Sequence, residues 1–262
     1  MVTNEIVHLL VAPPQTVETS LVKEACLILQ KDPYETRMLL SGKMPKLIAH
    51  YASAAAAEIV AQQLKTLGLV ALAVNDIELN QFFENGFNAR GVEFEEQAAT
   101  FRDNNNRLLK LEAKDVFLII KGKYQVSSDK PVTTTRLKFN LTATLVTGGI
   151  PIWSKVKKTS KANSGETGYF VRIYDRDSVQ PRVEFFENSF NYAVLGAAIA
   201  PSSTANLNGI VTKLRAVFPQ ALFDDILTQP IGISETYDNK ANLVELNCRL
   251  LYWYHRAVSN PT

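Results

Sequence analysis

Residues that could act as nucleophiles, bases or metal ligands do not combine into a catalytic set in this sequence. Ser41 and Ser164 each precede a glycine, but neither has the second glycine, two residues earlier, that a nucleophile elbow requires. The histidines stand far apart, at His8, His50 and His255, and show none of the spacings of a zinc site. We therefore expect a protein that is not an enzyme and that holds no metal or cofactor.

Neighbouring carboxylates occur at Glu95–Glu96, at Asp175 with Asp177, and at Asp224–Asp225. The acid pair of a glycosidase comes from separate elements, so adjacency along the chain is not a catalytic geometry. The segment around Asp175 also lacks the further oxygen ligands that a calcium loop supplies. We interpret these pairs as solvated turns.

One local excess of positive charge stands out. It consists of four lysines in a predicted loop of a sheet: Lys155, Lys157, Lys158 and Lys161. Such a cluster can contact an anion, for example an acidic lipid headgroup or a phosphopeptide. The simpler interpretation is a hairpin tip that keeps the chain in solution, and both interpretations stay open at this point.

A second candidate surface is aromatic and lies near the C-terminus. It consists of four consecutive residues: Tyr252, Trp253, Tyr254 and His255. Tyrosine and tryptophan are enriched at protein interfaces because they bury a large area at a small entropic cost. The alternative is that they pack on the chain's own domains. We predict a contribution from both, and we expect His255 to be a satisfied or solvent-facing imidazole rather than a general base.

Composition limits the class of protein. The chain has 262 residues, 46% of them hydrophobic and 21% charged, which is too apolar for a disordered chain. Its net charge of +2 lacks the excess typical of a duplex nucleic-acid binder. The first residues lack the basic region of a signal peptide, and Cys26 and Cys248 are expected to be free thiols. We predict a cytoplasmic protein.

In the first 80 residues, the spacing of apolar residues alternates between segments typical of a strand and segments typical of a helix. Strands are predicted where short apolar runs occur, and helices where apolar residues recur every three or four positions. The predicted order is β-α-α-β-α-β, with the elements at residues 6–12, 22–29, 32–42, 46–51, 54–67 and 69–74. Thr19 or Ser20 is the predicted cap of the first helix.

The stretch MLLSGKMPKLIAHYASAAAAEIVAQQLKTLGLVALAV resembles the C-terminal domain of the bacterial ribosomal stalk protein and the related Clp protease adaptor. The residues that carry the resemblance are Leu39, Leu40, Pro45, Leu47, Ala56, Ala57, Val60, Leu64, Gly68 and Val74. The resemblance covers residues 1–78 and implies a small domain that docks proteins or peptides. The sequence LQKDPYETRML replaces the glycine- and lysine-rich segment that binds translation factors, so that activity is not implied.

From Leu108 onward, apolar and polar residues alternate in short segments, as in strands, and turn residues separate these segments. An amphipathic helix follows, capped by Ser203 or Thr204 and ending at Phe218. This order of elements resembles a pleckstrin-homology-like barrel, although the tryptophan usual in its closing helix is absent. A last helix between residues 236 and 258 is apolar on more than one side, which predicts that it is held between two surfaces.

The predicted fold class is α+β. A small β-α-α-β-α-β domain spans residues 1–80, a linker 81–106, an antiparallel β-barrel or meander closed by an amphipathic helix 107–235, and a C-terminal helix 236–262. The predicted function is that of a non-enzymatic interaction or scaffold protein in a larger assembly. Its expected partner is another protein or a second copy of the chain. A membrane surface is possible but less favoured, and duplex nucleic acid is not expected.

Overall fold

The computed structural model describes residues 6–80, 86–125, 131–139, 153–161, 167–229 and 240–259. The chain divides into two compact units, one made of residues 1–124 and 168–262 and the other of residues 125–167. The predicted mixed α+β class is confirmed, since the first unit contains an antiparallel three-stranded sheet and a larger mixed sheet.

The three-stranded sheet is built from the N-terminal part of the first unit. Its strands are β1 (Val7–Val11), β2 (Lys46–Tyr51) and β3 (Ala71–Asn75), and β1 lies between the other two, antiparallel to both. Because β1 is central, all five of its residues are buried. The helices of this part are α1 (Thr19–Leu29), α2 (Pro33–Leu40), α3 (Ala54–Thr66) and the short α4 (Asp76–Asn80).

Local signals set the ends of these helices. The carboxylate of Asp32 accepts hydrogen bonds from two backbone N–H groups in the first turn of α2, which begins at Pro33. The hydroxyl of Ser53 caps α3 in the same way. Gly68 follows α3 with a φ of 80°, a conformation that glycine adopts without strain. The apolar faces of α1 and α3 meet β1 and β2 in one core cluster.

The second sheet has seven strands. In chain order they are β4 (Phe87–Phe94), β5 (Ala98–Asp103), β6 (Leu108–Glu112), β7 (Leu118–Gln125), β10 (Thr167–Tyr174), β11 (Val183–Phe186) and β12 (Leu222–Asp224), with β8 and β9 outside this sheet. The spatial order is β12-β7-β10-β11-β4-β5-β6. The pairs β12/β7 and β11/β4 are parallel, so this sheet is not the purely antiparallel meander that the period predicts. A period of two marks strands but does not fix which strands pair or in which direction.

Strands β4 and β5 lie within residues 81–106, the segment predicted to be a linker. A β-bulge between Ala89 and Gly91 shifts the register of β4, so its buried residues, Ala89 and Val92, are three positions apart. Because the bulge interrupts the alternation of apolar and polar residues, the sequence of β4 does not show the pattern of a strand. The asparagines at 104–106 are not the end of a linker either: they form the turn between β5 and β6.

Two helices cover opposite faces of the large sheet. Helix α5 (Ser203–Val217) packs its apolar stripe on alternate residues of β10 and β11, among them Val171, Ile173 and Phe185. Helix α6 (Lys240–Ser259) packs on the other face, against residues such as Leu118, Ile120 and Phe170. A β-carbon at Gly122 would lie 2.4 Å from the Phe170 ring, so glycine lets this ring pack against β7.

The start of α5 differs in detail from the prediction. Ser202 is the N-cap, one residue earlier than expected, and its hydroxyl accepts from the N–H of Ala205. The hydroxyls of Ser203 and Thr204 instead donate to the buried carboxylate of Glu187, at 2.7 and 2.5 Å. They fix the helix to the segment that follows β11.

Helix α6 has a second apolar side. Its buried Leu250 packs with Leu10, Val74 and Leu79 of the N-terminal part. The guanidinium of Arg249 donates to the carbonyl of Leu79. The helix therefore lies between the three-stranded sheet and the large sheet, and the prediction of a helix held between two surfaces is confirmed.

Ion pairs between partly buried side chains also hold α6 in this position. Arg172 of β10 forms ion pairs with Glu184 of β11 and with Glu245 of α6, the latter at 2.6 Å. The second oxygen of Glu245 accepts from Nε of Arg249, at 3.1 Å. Cys248, on the same helix, is a free thiol, and complete burial raises its pKa to about 11.

The second unit contains a two-stranded antiparallel hairpin. Strands β8 (Pro131–Phe139) and β9 (Trp153–Lys161) pair along their whole length, with Pro131 opposite Lys161 and Phe139 opposite Trp153. The sequence predicts strands at 136–147 and 151–156, and both predictions reach into residues 140–152, which lie outside the described part of the chain.

Truncation of Leu250 to alanine tests the position of α6. We expect Leu250→Ala to lower the free energy of unfolding by about 2 to 5 kcal/mol, because it leaves a cavity between two apolar layers. Val258→Ala, at a half-exposed site on the same helix, should change it by less than about 0.5 kcal/mol. Urea denaturation measures both, and equal effects would contradict the described packing.

Candidate functional site

Tyr252, the first residue of the predicted aromatic surface, is fully buried. Its hydroxyl donates to the carbonyl of Arg176 at 2.7 Å, and its ring contacts those of Phe117 and Tyr174. Burial raises the pKa of Tyr252 to about 12. Tyr252 thus takes the second predicted role, packing on the chain's own domains, since it lies one helical turn after Cys248 on the side that faces the large sheet.

The other three aromatic positions are partly exposed. Trp253 packs against both the core beside the large sheet and the cluster around Leu250, and the guanidinium of Arg256 lies 5.3 Å from the centre of its ring. Tyr254 and His255 are in edge-to-face contact. An interface role for these three residues stays a prediction.

His255 anchors α6 to the edge strand β12. Its Nε2 lies 2.7 Å from a carboxylate oxygen of Asp224, and both side chains are largely buried. Burial by itself raises the pKa of Asp224, but the hydrogen bonds from His255 and from the N–H of Ile226 outweigh it and hold this pKa below its ordinary value. The pair is a structural contact between two elements, in agreement with the expected satisfied imidazole.

The four predicted lysines lie in a strand rather than in a loop. Lys155, Lys157, Lys158 and Lys161 all belong to β9. Pairing with β8 adds Arg136 and Lys138 to the same hairpin. The two strands thus hold six basic residues and no acidic one. The sequence pattern identified four of these residues but not their partners on β8.

A third arrangement was not foreseen. His8 of β1 and His50 of β2 stand directly opposite each other, with their Nδ1 atoms 2.7 Å apart. The Nε2 atom of His8 lies 2.7 Å from a carboxylate oxygen of Asp76. Strand register brings these residues together, and only the positions of His8 and His50 in predicted strands hinted at it. Among the described residues, no group of three or more His, Cys, Asp or Glu could hold a metal ion.

An open groove of about 480 Å³ lies along strands β4 and β5. Its lining combines two arginines, two carboxylates, several neutral polar residues and a few apolar ones, among them Arg90, Arg102, Glu93, Asp103, Asn104, Asn106, Asn191, Leu108 and Val194. The turn between β5 and β6 contributes the first two asparagines. No sequence motif marks this groove, because its residues come from three separate segments.

No helix within the described residues is long and apolar enough to cross a membrane. No protein-family model, curated protein or solved structure matches this chain. The candidate sites therefore rest on their own geometry.

Replacement of Asp224 by asparagine tests its contact with His255. Because its pKa is lowered by folding, the Asp224 carboxylate stabilises the fold above its ordinary pKa of 3.8 and loses this contribution as the pH falls below that value. We expect Asp224→Asn to lower the unfolding free energy by about 1 to 3 kcal/mol at pH 7 and by less in acid.

Urea denaturation at several pH values measures this difference. Asp225→Asn is the control, because Asp225 is the exposed neighbour in the sequence. An acid dependence that is unchanged in Asp224→Asn would contradict the assigned role of the carboxylate.

Proposed function

We propose that this chain is a non-enzymatic interaction protein, a subunit or adaptor of a larger assembly, and that it docks a protein partner on the outer surface of α1 and α2. The observation that carries the proposal is a set of large apolar side chains left exposed on these two helices. Leu27 is 79% exposed, Tyr34 75% and Met38 55%. Exposed apolar surface of this kind marks interaction sites when its members lie close together.

The placement of these residues supports a shared surface. Tyr34 and Met38 are four residues apart on α2 and so lie on one face of it. Leu27 lies near the end of α1, three residues before the short turn that leads into α2. The stripes that face the core are filled by other residues, such as Leu29 and Leu40. The exposed residues are thus additional to those that the fold requires.

The two helices are also fixed to each other. Arg37 of α2 donates to the hydroxyl of Thr19 at the start of α1, at 3.2 Å. Lys31 in the connecting turn pairs with Glu35 of α2. A surface that is already ordered loses little entropy on binding, which favours association. The resemblance of this part to the stalk-like and adaptor domains agrees with a docking role, as does the resemblance of the later part to a pleckstrin-homology-like domain.

The double replacement Tyr34→Asp with Met38→Asp tests the docking surface. Affinity purification from the native cell, followed by mass spectrometry, should recover a partner with the wild-type chain. We expect the double variant to weaken this association more than about tenfold, since central apolar residues dominate interfaces. The control is Ile199→Asp, which changes an exposed apolar residue outside these helices.

A wild-type chain that is strictly monomeric and partnerless would contradict the proposal. Equal recovery of the partner by the double variant would place the interface elsewhere on the chain.

The β8–β9 hairpin supports a second candidate function, the binding of a phosphate group on an acidic lipid headgroup or a phosphopeptide. The two strands carry six basic residues and no acidic one, a charge of +6, whereas the whole chain has a net charge of +2. The remaining residues therefore carry a net charge of +2 − 6 = −4. The net positive charge of this protein thus comes from one hairpin, and such a local excess attracts phosphate groups.

Replacement of Lys155, Lys157, Lys158 and Lys161 by glutamate tests this candidate. Each basic residue near an anionic membrane contributes about 1 kcal/mol, so we expect the variant to lose sedimentation with phosphatidylserine vesicles. Replacement of the same four lysines by arginine should preserve it. A phosphopeptide array, read with both variants, separates the two sources of phosphate. Unchanged binding by the glutamate variant in both assays would remove the candidate.

A further inference from the structure

We propose that the groove along β4 and β5 binds a small ligand that carries a carboxylate or phosphate group, with Arg90 as the residue that recognises this oxyanion. The inference is independent of the docking surface on α1 and α2, because it concerns other residues and a different class of ligand. It rests on the shape of the groove, on the charge of Arg90 and on the neutral polar groups around it.

The shape of the groove follows from the strands that form it. Val92 of β4 and Phe101 of β5 belong to the core under α5, so the groove residues Glu93, Thr100 and Arg102 lie on the other face of these strands. Gly91 adds space at the centre, because a β-carbon there would meet no described atom within 4 Å. A volume of about 480 Å³ lies in the range of small-molecule sites.

The lining of the groove contains two arginines and two carboxylates, and each of these except Arg90 forms an ion pair among the described residues. Arg102 pairs with Glu93 at 2.7 Å. The buried carboxylate of Asp103 is held by Arg107 and by backbone N–H groups of the turn. Arg90, by contrast, makes no ion pair within the described part of the chain and donates only to the carbonyl of Ser189, at 3.3 Å.

The guanidinium of Arg90 is also incompletely hydrogen-bonded. Its Nε is buried and has no partner among the described residues. One Nη atom donates to the carbonyl of Ser189. The guanidinium has five N–H donors, so the Nη atoms retain donors for the oxygens of a carboxylate or phosphate. An uncompensated arginine in a concave site favours an anionic ligand over a neutral one.

Neutral groups around Arg90 indicate the rest of the ligand. Asn104 and Asn106 are exposed on the turn at one end of the groove. Asn191 uses its carbonyl oxygen to accept from the N–H of Ala193, which leaves its amide NH₂ as a donor. Together they offer both donors and acceptors. These groups can bind polar atoms that lie beside the oxyanion of the ligand.

Titration of the isotope-labelled full chain, followed by nuclear magnetic resonance, tests the site. The probes are succinate, glycerol phosphate and the neutral succinamide. We expect saturable shifts of the Arg90, Asn104 and Asn106 resonances with at least one anion and none with succinamide. Binding of succinate alone identifies a carboxylate ligand, and binding of glycerol phosphate alone a phosphate ligand. Absence of saturable shifts with both anions, or an equal response to succinamide, would overturn the proposal.

Variants separate the site from non-specific charge. Arg90→Gln should weaken binding at least about tenfold, because it removes a charge-assisted pair of hydrogen bonds. Gly91→Val should weaken it similarly while Arg90 is retained, by filling the groove with a side chain that suits a strand.

The matched controls are Gly86→Val, at a glycine with equally open surroundings, and Lys114→Gln, which removes an exposed charge elsewhere. Both controls should bind as the wild type does. If Arg90→Gln does not fold, Gly91→Val carries the test. Wild-type affinity in Gly91→Val, or in a folded Arg90→Gln, would refute the assignment.

Discussion

The contact between Glu245 and two arginines joins the layers of the first unit. Glu245 lies on α6 and pairs with Arg172 of the interior strand β10. Arg249 follows Glu245 by one turn of the same helix, where it donates to the carbonyl of Leu79 in the N-terminal part. The carboxylate of Glu245 therefore connects the large sheet to Arg249, which in turn contacts α4 beside the three-stranded sheet. Loss of this helix would expose apolar residues of both layers at once.

Ion pairs of this kind specify an arrangement more than they stabilise it. Removal of two charges from water costs several kcal/mol for each ion, and their attraction repays this only when the geometry is good. The larger favourable contribution comes from the apolar residues of α6, such as Leu250 and Tyr252, which are buried on different sides. In our interpretation, burial of the apolar residues of α6 drives its packing. The arginines select the rotation of α6 about its axis that turns each apolar stripe toward its own layer.

The candidate sites are formed by residues other than those of α6. The exposed apolar residues of α1 and α2, the groove at Arg90 and the basic hairpin belong to different parts of the chain, and none uses a residue of α6. The aromatic residues at 252–255, by contrast, belong to α6. Their types are common both at interfaces and in cores, so residue type alone does not distinguish the two roles.

Much of the N-terminal fold could be read from the sequence. The caps at Asp32 and Ser53 and the stop at Gly68 depend on neighbouring residues alone, so local chemistry was sufficient to predict the helices they delimit. The apolar residues on more than one side of α6 likewise predicted a helix that is covered on more than one side. The α+β class followed from these periods. The lysines of β9 were visible as a cluster, although their place in a strand was not.

Only the tertiary structure decided the contacts between distant segments. The parallel pairs in the large sheet, the bulge that hides β4, and the burial of Tyr252 depend on which elements pack together. The groove at Arg90 combines residues from β4, the turn at 104–106 and the segment at 191–194. The physical reason is that periodicity reports which face of an element is buried, whereas strand order, register and the free surfaces that remain are set by packing between elements far apart in the chain.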